Sequence, residues 1–103
     1  MGNVLFGPAG NSLSFYDEGH KSSLETPKWV KDRGLDLFEY SFGQGYRMNS
    51  ETAQKLGVEF EKEGIEVSIH APYFINFANP DPVMYEKSLG YIHTGIKFME
   101  MFK

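Results

Sequence analysis

Three short apolar runs recur along the chain, and each is closed by turn residues. Val4-Leu5-Phe6 leads into Gly7-Pro8-Ala9-Gly10, Leu35 to Phe42 into Gly43-Gln44-Gly45, and Ile65 to His70 into Ala71-Pro72. Branched and aromatic residues bounded by Gly and Pro predict strands. Helical patterns lie between them. Thr26-Pro27 is a start signal, a capping side chain before Pro at the first helical position, and Gly34 suits the stop after Trp29 and Val30. A second helix is predicted from Asn49 or Ser50 to Gly64. Its apolar face, Ala53, Leu56, Gly57 and Phe60, is spaced i, i+3, i+4, i+7. A third starts at Asp81-Pro82, carries Tyr85, Leu89, Ile92, Ile96 and Met99 on one stripe, and reaches the end of the sequence.

The runs begin 31 and 30 residues apart, and Gly34-Leu35 and Gly64-Ile65 repeat one helix-stop, strand-start junction. A period near 30 is that of βα units in a parallel sheet. The predicted fold class is α/β, a parallel βαβαβα chain with units over about 3–33, 35–63 and 65–103. In the second run Phe38, Tyr40 and Phe42 form the set that meets the helices, with Glu39 and Ser41 on the other set. In the third, Ile65, Val67 and Ile69 meet the helices, while Ser68 and His70 face away. Polar residues facing away from the helix layer suit the upper interior of a (β/α)8 TIM barrel. Such a barrel typically takes about 250 residues. Three units are therefore expected to be the first part of a larger, truncated barrel.

Composition narrows the class. The chain has 103 residues, 41% of them apolar and 23% charged, with nine Phe, six Tyr and one Trp. That suffices for one domain with a real core, and is too apolar for disorder. It contains no Cys, so any metal site is built from His, Asp and Glu. No secretory leader and no membrane-length apolar stretch is visible, so a cytoplasmic location is expected. The net charge of −4 counts against a general nucleic-acid binder, which carries a basic face.

His70 is the leading candidate for chemistry. It ends a strand before Ala71-Pro72, at the C-terminal rim where parallel α/β folds build sites, and neutral imidazole is a common metal ligand. Glu39, late in the second run, could point into the barrel mouth to hydrogen-bond a metal ligand or contact substrate, or pair with a lysine or water at the rim. His20 falls in the polar stretch Asp17 to Ser23, a solvated loop, and His93 on a helix flank. FGPAGN lacks both a G-x-G-x-x-G pattern and a Walker lysine, so its glycines read as turn residues.

The run SIHAPYFINFAN, Ser68 to Asn79, resembles the third-strand motif of the endonuclease IV family, zinc-dependent AP endonucleases within the xylose-isomerase-like TIM barrels. FGPAGN (Phe6 to Asn11) and GLDLFEYSFGQG (Gly34 to Gly45) extend the resemblance in order and spacing, from Val4 to about Ile96. It implies a hydrolase that cuts the DNA backbone at abasic sites in repair. His70 would match a zinc ligand, one of several His, Asp and Glu side chains around a metal cluster. Tyr73 would match a tyrosine that helps displace the abasic nucleotide. Arg47, in the loop Gly43 to Asn49, would match a DNA-probing arginine, and Asn76 would fix the following loop. Clustered zinc lowers the pKa of bound water and offsets phosphodiester charge, which relieves the need for a basic chain. A sugar isomerase or epimerase of the same superfamily, and a non-catalytic α/β module, are the alternatives. The chain alone, with one convincing ligand, is expected to be inactive and to self-associate through open sheet edges.

Overall fold

The computed structural model describes residues 3–103. Two strands, β1 (Leu37–Ser41) and β2 (Glu66–His70), pair in parallel, with Leu37 opposite Glu66 and Ser41 opposite His70. Four helices accompany them: α1 (Leu13–Asp17), α2 (Thr26–Asp32), α3 (Ser50–Glu63) and α4 (Pro82–Phe102). The fold is α/β with a parallel sheet, as the 30-residue period predicts.

The first predicted strand is displaced. Val4, Leu5 and Phe6 are exposed, and the contact with β1 runs instead from Phe6 to Gly10. Asp36 and Leu37 N–H donate to Phe6 O, Glu39 N–H to Pro8 O, and Gly10 N–H to Glu39 O. Residues 6–10 thus lie alongside β1 in parallel without forming a regular strand, because Pro8 has no N–H to give. The Gly7-Pro8 pair, expected as a turn, is an edge feature. A Cβ on Gly7 would overlap the Leu37 carbonyl, so glycine is what lets this segment reach β1.

Alternation along the strands separates two faces. Phe38 of β1, Phe42 just beyond it and Val67 of β2 are buried against the helices, with Tyr40 and Ile69 half-buried beside them. Phe38 stacks on Phe60 at 5.9 Å, Phe42 meets Phe98 at 4.9 Å, and Tyr40 meets Phe102 at 5.7 Å. Helices α3 and α4 together thus close one aromatic core over the sheet.

Helix α3 matches its predicted face: Ala53, Leu56, Gly57 and Phe60 are buried. Asn49 caps it by accepting from Thr52 N–H at 2.8 Å, and Gly64 ends it in the left-handed region. Helix α4 starts as expected, with Asp81 accepting from Val83 N–H at 2.9 Å and Pro82 following. Its buried face differs. Ser88, Gly95, Phe98 and Phe102 face the core, whereas Tyr85 and Ile96 of the predicted stripe are exposed. Apolar residues surround most of this helix, so the stripe was ambiguous, and the larger rings of Phe98 and Phe102 take the core.

Two further corrections concern the first unit. Helix α1 falls where only a turn and loop were expected, and its Phe15 is fully buried, edge-on to Trp29 at 5.5 Å. Thr26 does not cap α2. A 3₁₀ turn, Ser23–Glu25, runs straight into that helix, and the cap is Ser22, whose Oγ accepts from Leu24 N–H. Thr26 is buried and its hydroxyl donates to Asn11 Oδ1 at 2.8 Å, tying the first loop to α2.

Candidate functional site at the sheet rim

The face turned away from the helices carries Glu39 and Ser41 from β1, and Glu66, Ser68 and His70 from β2. The register places Glu39 opposite Ser68, and Ser68 Oγ donates to Glu39 Oε1 at 3.1 Å. One pair further along the strands, Ser41 stands opposite the exposed His70. Residues 6–10 add to this face, since Ala9 bridges to Glu39. Strand alternation alone therefore gathers two carboxylates, two hydroxyls and an imidazole on one surface. His70's carbonyl accepts from Phe42 N–H at 2.8 Å, extending the ladder past the strand end and fixing the backbone that carries the imidazole.

Beyond this face two loops form the rim. Residues 42–49 follow β1 and residues 71–81 follow β2. Tyr73 N–H donates to Gly43 O at 3.1 Å, which joins them. A cleft of about 510 Å³ lies between them, lined by Ser41, Gly43, Gln44, Gly45, Arg47 and Tyr73 among others. Arg47 and Tyr73, 26 positions apart in the sequence, thus share one cleft, and Tyr73 is 76% exposed. His70 is not among the lining residues; Ser41, its register partner, connects the cleft to the polar face.

Asn76 organises the second loop. Its Oδ1 accepts from Ala78 N–H at 2.9 Å, while its own N–H donates to Ser88 Oγ at 3.0 Å. Asn79 repeats the turn by accepting from Asp81 N–H. These side-chain to backbone bonds set the path from β2 into α4.

The other histidines lie elsewhere. His20 stacks on Phe15 at 4.9 Å and its Nδ1 lies 3.2 Å from Glu25 Oε1. His93 is exposed on α4. Two residues of the site region escaped the sequence reading. Ser68 was placed on the right face but not paired with Glu39. Tyr46 lies in the loop that the sequence singles out only for Arg47, yet its hydroxyl donates to Tyr91 O at 2.7 Å, and burial raises its pKa.

A family model described as a xylose isomerase-like TIM barrel matches residues 27–103. The chain belongs to that family. The match spans β1, β2, α3 and α4, and so includes the polar face and both rim loops. In a xylose isomerase-like TIM barrel the strand faces turned from the helices line the barrel interior, and sites lie at the C-terminal ends of the strands. His70, Tyr73 and Arg47 all occur at that end here. No curated protein matches the chain.

Zinc chemistry can be weighed against the donors present. An exposed imidazole on a fixed strand end suits a metal, and Glu39 with Ser68 behind it suits an outer hydrogen-bonding partner. Among the described residues no three His, Asp or Glu side chains gather closely enough to hold a metal by themselves. His70 therefore offers a single imidazole donor. Among the described residues, no helix is long and apolar enough to cross a membrane.

Proposed function

We propose that this chain is the N-terminal part of an endonuclease IV-like, zinc-dependent enzyme that hydrolyses the DNA backbone at abasic sites. The observation that carries the reading is the arrangement of the SIHAPYFINFAN run. It ends β2 with His70 on the polar face and sets Tyr73 beside Arg47 in the adjoining cleft. A bound zinc cluster would supply an activated water and charge stabilisation. The chain's own residues do the rest. His70 offers one imidazole lone pair. Ser68 holds the Glu39 carboxylate on the same face as that imidazole. Tyr73 presents an exposed ring that can stack where a base is missing, and Arg47 adds a guanidinium within reach of a phosphate.

A sugar isomerase or epimerase is the second reading. The Glu39–Ser68 pair favours it, because a carboxylate and a hydroxyl set back on the interior face suit the hydroxyls of a small sugar. A non-catalytic module is the third.

The test uses the full-length gene product, with zinc measured by elemental analysis. Nicking of a duplex carrying one tetrahydrofuran abasic site is compared with turnover of a ketose panel. Zinc-bound protein that nicks only the abasic duplex, with loss of both zinc and nicking in His70→Ala, is the expected result. Turnover of a ketose without nicking would move the assignment to the isomerase reading. Neither activity, with no zinc, would leave only the module.

A further inference from the structure

Tyr46 lies in the loop between β1 and α3, immediately before Arg47, and it turns inward. Its ring stacks on Phe98 at 5.4 Å and 11°, and meets Phe42 at 4.9 Å. Its hydroxyl donates to the Tyr91 carbonyl of α4 at 2.7 Å. Residue 95, one helical turn beyond Tyr91, is glycine. A Cβ there would stand 2.7 Å from Tyr46 Oη and 3.2 Å from Ile69 Cδ1. Real Cβ atoms do not tolerate the first of these, so Gly95 opens the gap through which the hydroxyl reaches the helix backbone. The φ of Gly95 is an ordinary helical one, so the need for glycine is steric, from the Tyr46 hydroxyl first and Ile69 second.

The same turn of α4 receives the other rim loop. Phe74 packs edge-on against Tyr91 at 4.7 Å and 74°, and its ring tip lies 3.9 Å from where a Cβ of Gly45 would stand. Tyr73, next to it, is edge-on to Phe74 at 5.5 Å and bonded through its N–H to Gly43 O. Both loops are thus moored at Tyr91, one by a hydrogen bond and one by an aromatic contact. Burial raises the Tyr46 pKa, so the hydroxyl stays a donor across the neutral range.

We propose that Tyr46 is a positioning residue of the rim: its hydroxyl, bonded to the Tyr91 carbonyl through the gap at Gly95, holds the loop bearing Arg47 beside Tyr73. What Arg47 and Tyr73 are positioned for rests on the abasic-site reading; the tether does not. The loop contains Gly43 and Gly45, the latter at φ 115°, and besides Tyr46 it packs Met48 against the core. Its one internal backbone bond is Gly45 N–H to Phe42 O at 2.8 Å. Removing the tether therefore frees Arg47 while leaving the sheet intact.

Two variants test this. Tyr46→Phe keeps the ring and removes the hydroxyl; Gly95→Ala blocks the approach from the helix side. Amide hydrogen exchange on the 103-residue chain is expected to rise about five- to tenfold over residues 43–49 in each, the loss of one ordinary hydrogen bond. In Tyr46→Phe the β1 and β2 amides should be unchanged, and the double variant should exchange no faster in the loop than the faster single. Unchanged loop exchange in Tyr46→Phe, or equal acceleration throughout the sheet, overturns the tether. On the full-length product, the affinity ratio of tetrahydrofuran-containing over intact duplex should fall about fivefold in Tyr46→Phe, as one ordinary hydrogen bond's loss implies. A general loss of structure would lower both affinities and keep the ratio. If the wild type shows no preference, the abasic-site reading fails and hydrogen exchange still decides the tether. If wild type and Tyr46→Phe discriminate equally, the positioning role is lost.

Discussion

Glu25 is on the surface, far from the rim, yet its carboxylate is held more firmly than any group on the polar face. Ser22 N–H and Lys21 N–H each donate to Oε2 at 3.0 Å, and His20 Nδ1 lies 3.2 Å from Oε1. These bonds, the one from Ser22 first, favour the charged form and bring its pKa from 4.5 down to about 2. The sign follows from linkage. A carboxylate with a depressed folded pKa adds stability above its unfolded value, and that stability drains away as pH falls from 4.5 towards 2. Glu25→Gln should therefore unfold at lower urea than wild type at pH 6, and the gap should close as pH falls to about 2.5. A gap that stays constant over this range would show that charge is not what Glu25 contributes. Tyr73 gives the functional counterpart at this scale. On the abasic-site reading its exposed ring stacks on DNA, and base–aromatic stacking is worth about 1–3 kcal/mol. Tyr73→Ala in the full-length product should weaken binding to abasic duplex by roughly ten- to a hundredfold, measured by fluorescence anisotropy, with little change in the thermal midpoint. Equal affinity would remove Tyr73 from the interface. Both residues differ from His70 in legibility. The side of the sheet that His70 and Glu39 occupy follows from strand alternation alone, whereas the donors around Glu25 depend on a 3₁₀ turn that no periodicity announces.

Helix α3 and helix α4 show why one element was legible and the other only in part. In α3 the four buried residues are also the only well-spaced apolar set, and cap and stop are strong local signals, so pattern and packing agree. In α4 several stripes compete, and the choice among them is made by a partner the local sequence does not reveal. That partner is α3 at Gly57, where a Cβ would overlap the Met101 carbonyl of α4. The close approach brings Phe98 and Phe102 inward and leaves Ile92, Ile96 and Met99 lining a separate apolar groove beside Ile69. Two glycines in these helices then have opposite fates. Alanine normally gains about 1 kcal/mol over glycine inside a helix. At Gly90 a Cβ meets nothing within 4 Å, so Gly90→Ala should stabilise by about 0.5–1 kcal/mol. At Gly57 the obstacle is backbone, which cannot step aside, so the helices must part. Overpacking of this kind costs about 1–3 kcal/mol and outweighs the propensity gain. Gly57→Ala should lower the urea midpoint while Gly90→Ala raises it. A stabilised Gly57→Ala would mean that the α3–α4 contact is looser than this geometry. Residues 6–10 teach the same lesson for strands. Gly and Pro announce a turn in the sequence, but here they serve an edge, because Gly7 yields space to β1 and Pro8, with no N–H to give, interrupts the ladder.

At the scale of the whole molecule the sheet is open on both sides. A (β/α)8 barrel closes on itself and so has no edges, whereas among the described residues β2 pairs only with β1. The donor inventory is equally partial. A catalytic zinc takes about three protein ligands, and among the described residues no three His, Asp or Glu side chains gather to hold one. The 103-residue chain by itself should leave an abasic duplex intact even with zinc added, and nicking lost on His70→Ala would contradict that. The open edge has a physical consequence of its own. The outer N–H and C=O groups of β2 offer a template for another strand, and the groove of Ile69, Ile92, Ile96 and Met99 lies alongside, almost wholly apolar. The opposite edge presents Val4, Leu5 and Phe6, which are also exposed. Water in contact with both surfaces is released when copies meet edge to edge, and parallel strands impose no reversal of direction on such a contact. We therefore expect the chain to self-associate, with weight-average sedimentation rising with concentration in the micromolar range. Ile96 is 52% exposed, so a lysine there meets no packed neighbour inside the core and leaves the fold intact. Placed in the groove, its charge, together with that of Glu100 one turn away, would have to be stripped of water in any assembly that covers it, at a cost of several kcal/mol. Ile96→Lys should keep the circular dichroism and urea midpoint of wild type and sediment as a monomer at concentrations where wild type does not. If wild type is monomeric throughout, the edge is protected by its charged neighbours Glu66 and Glu100; if Ile96→Lys associates as strongly as wild type, the contact is made elsewhere than at this groove.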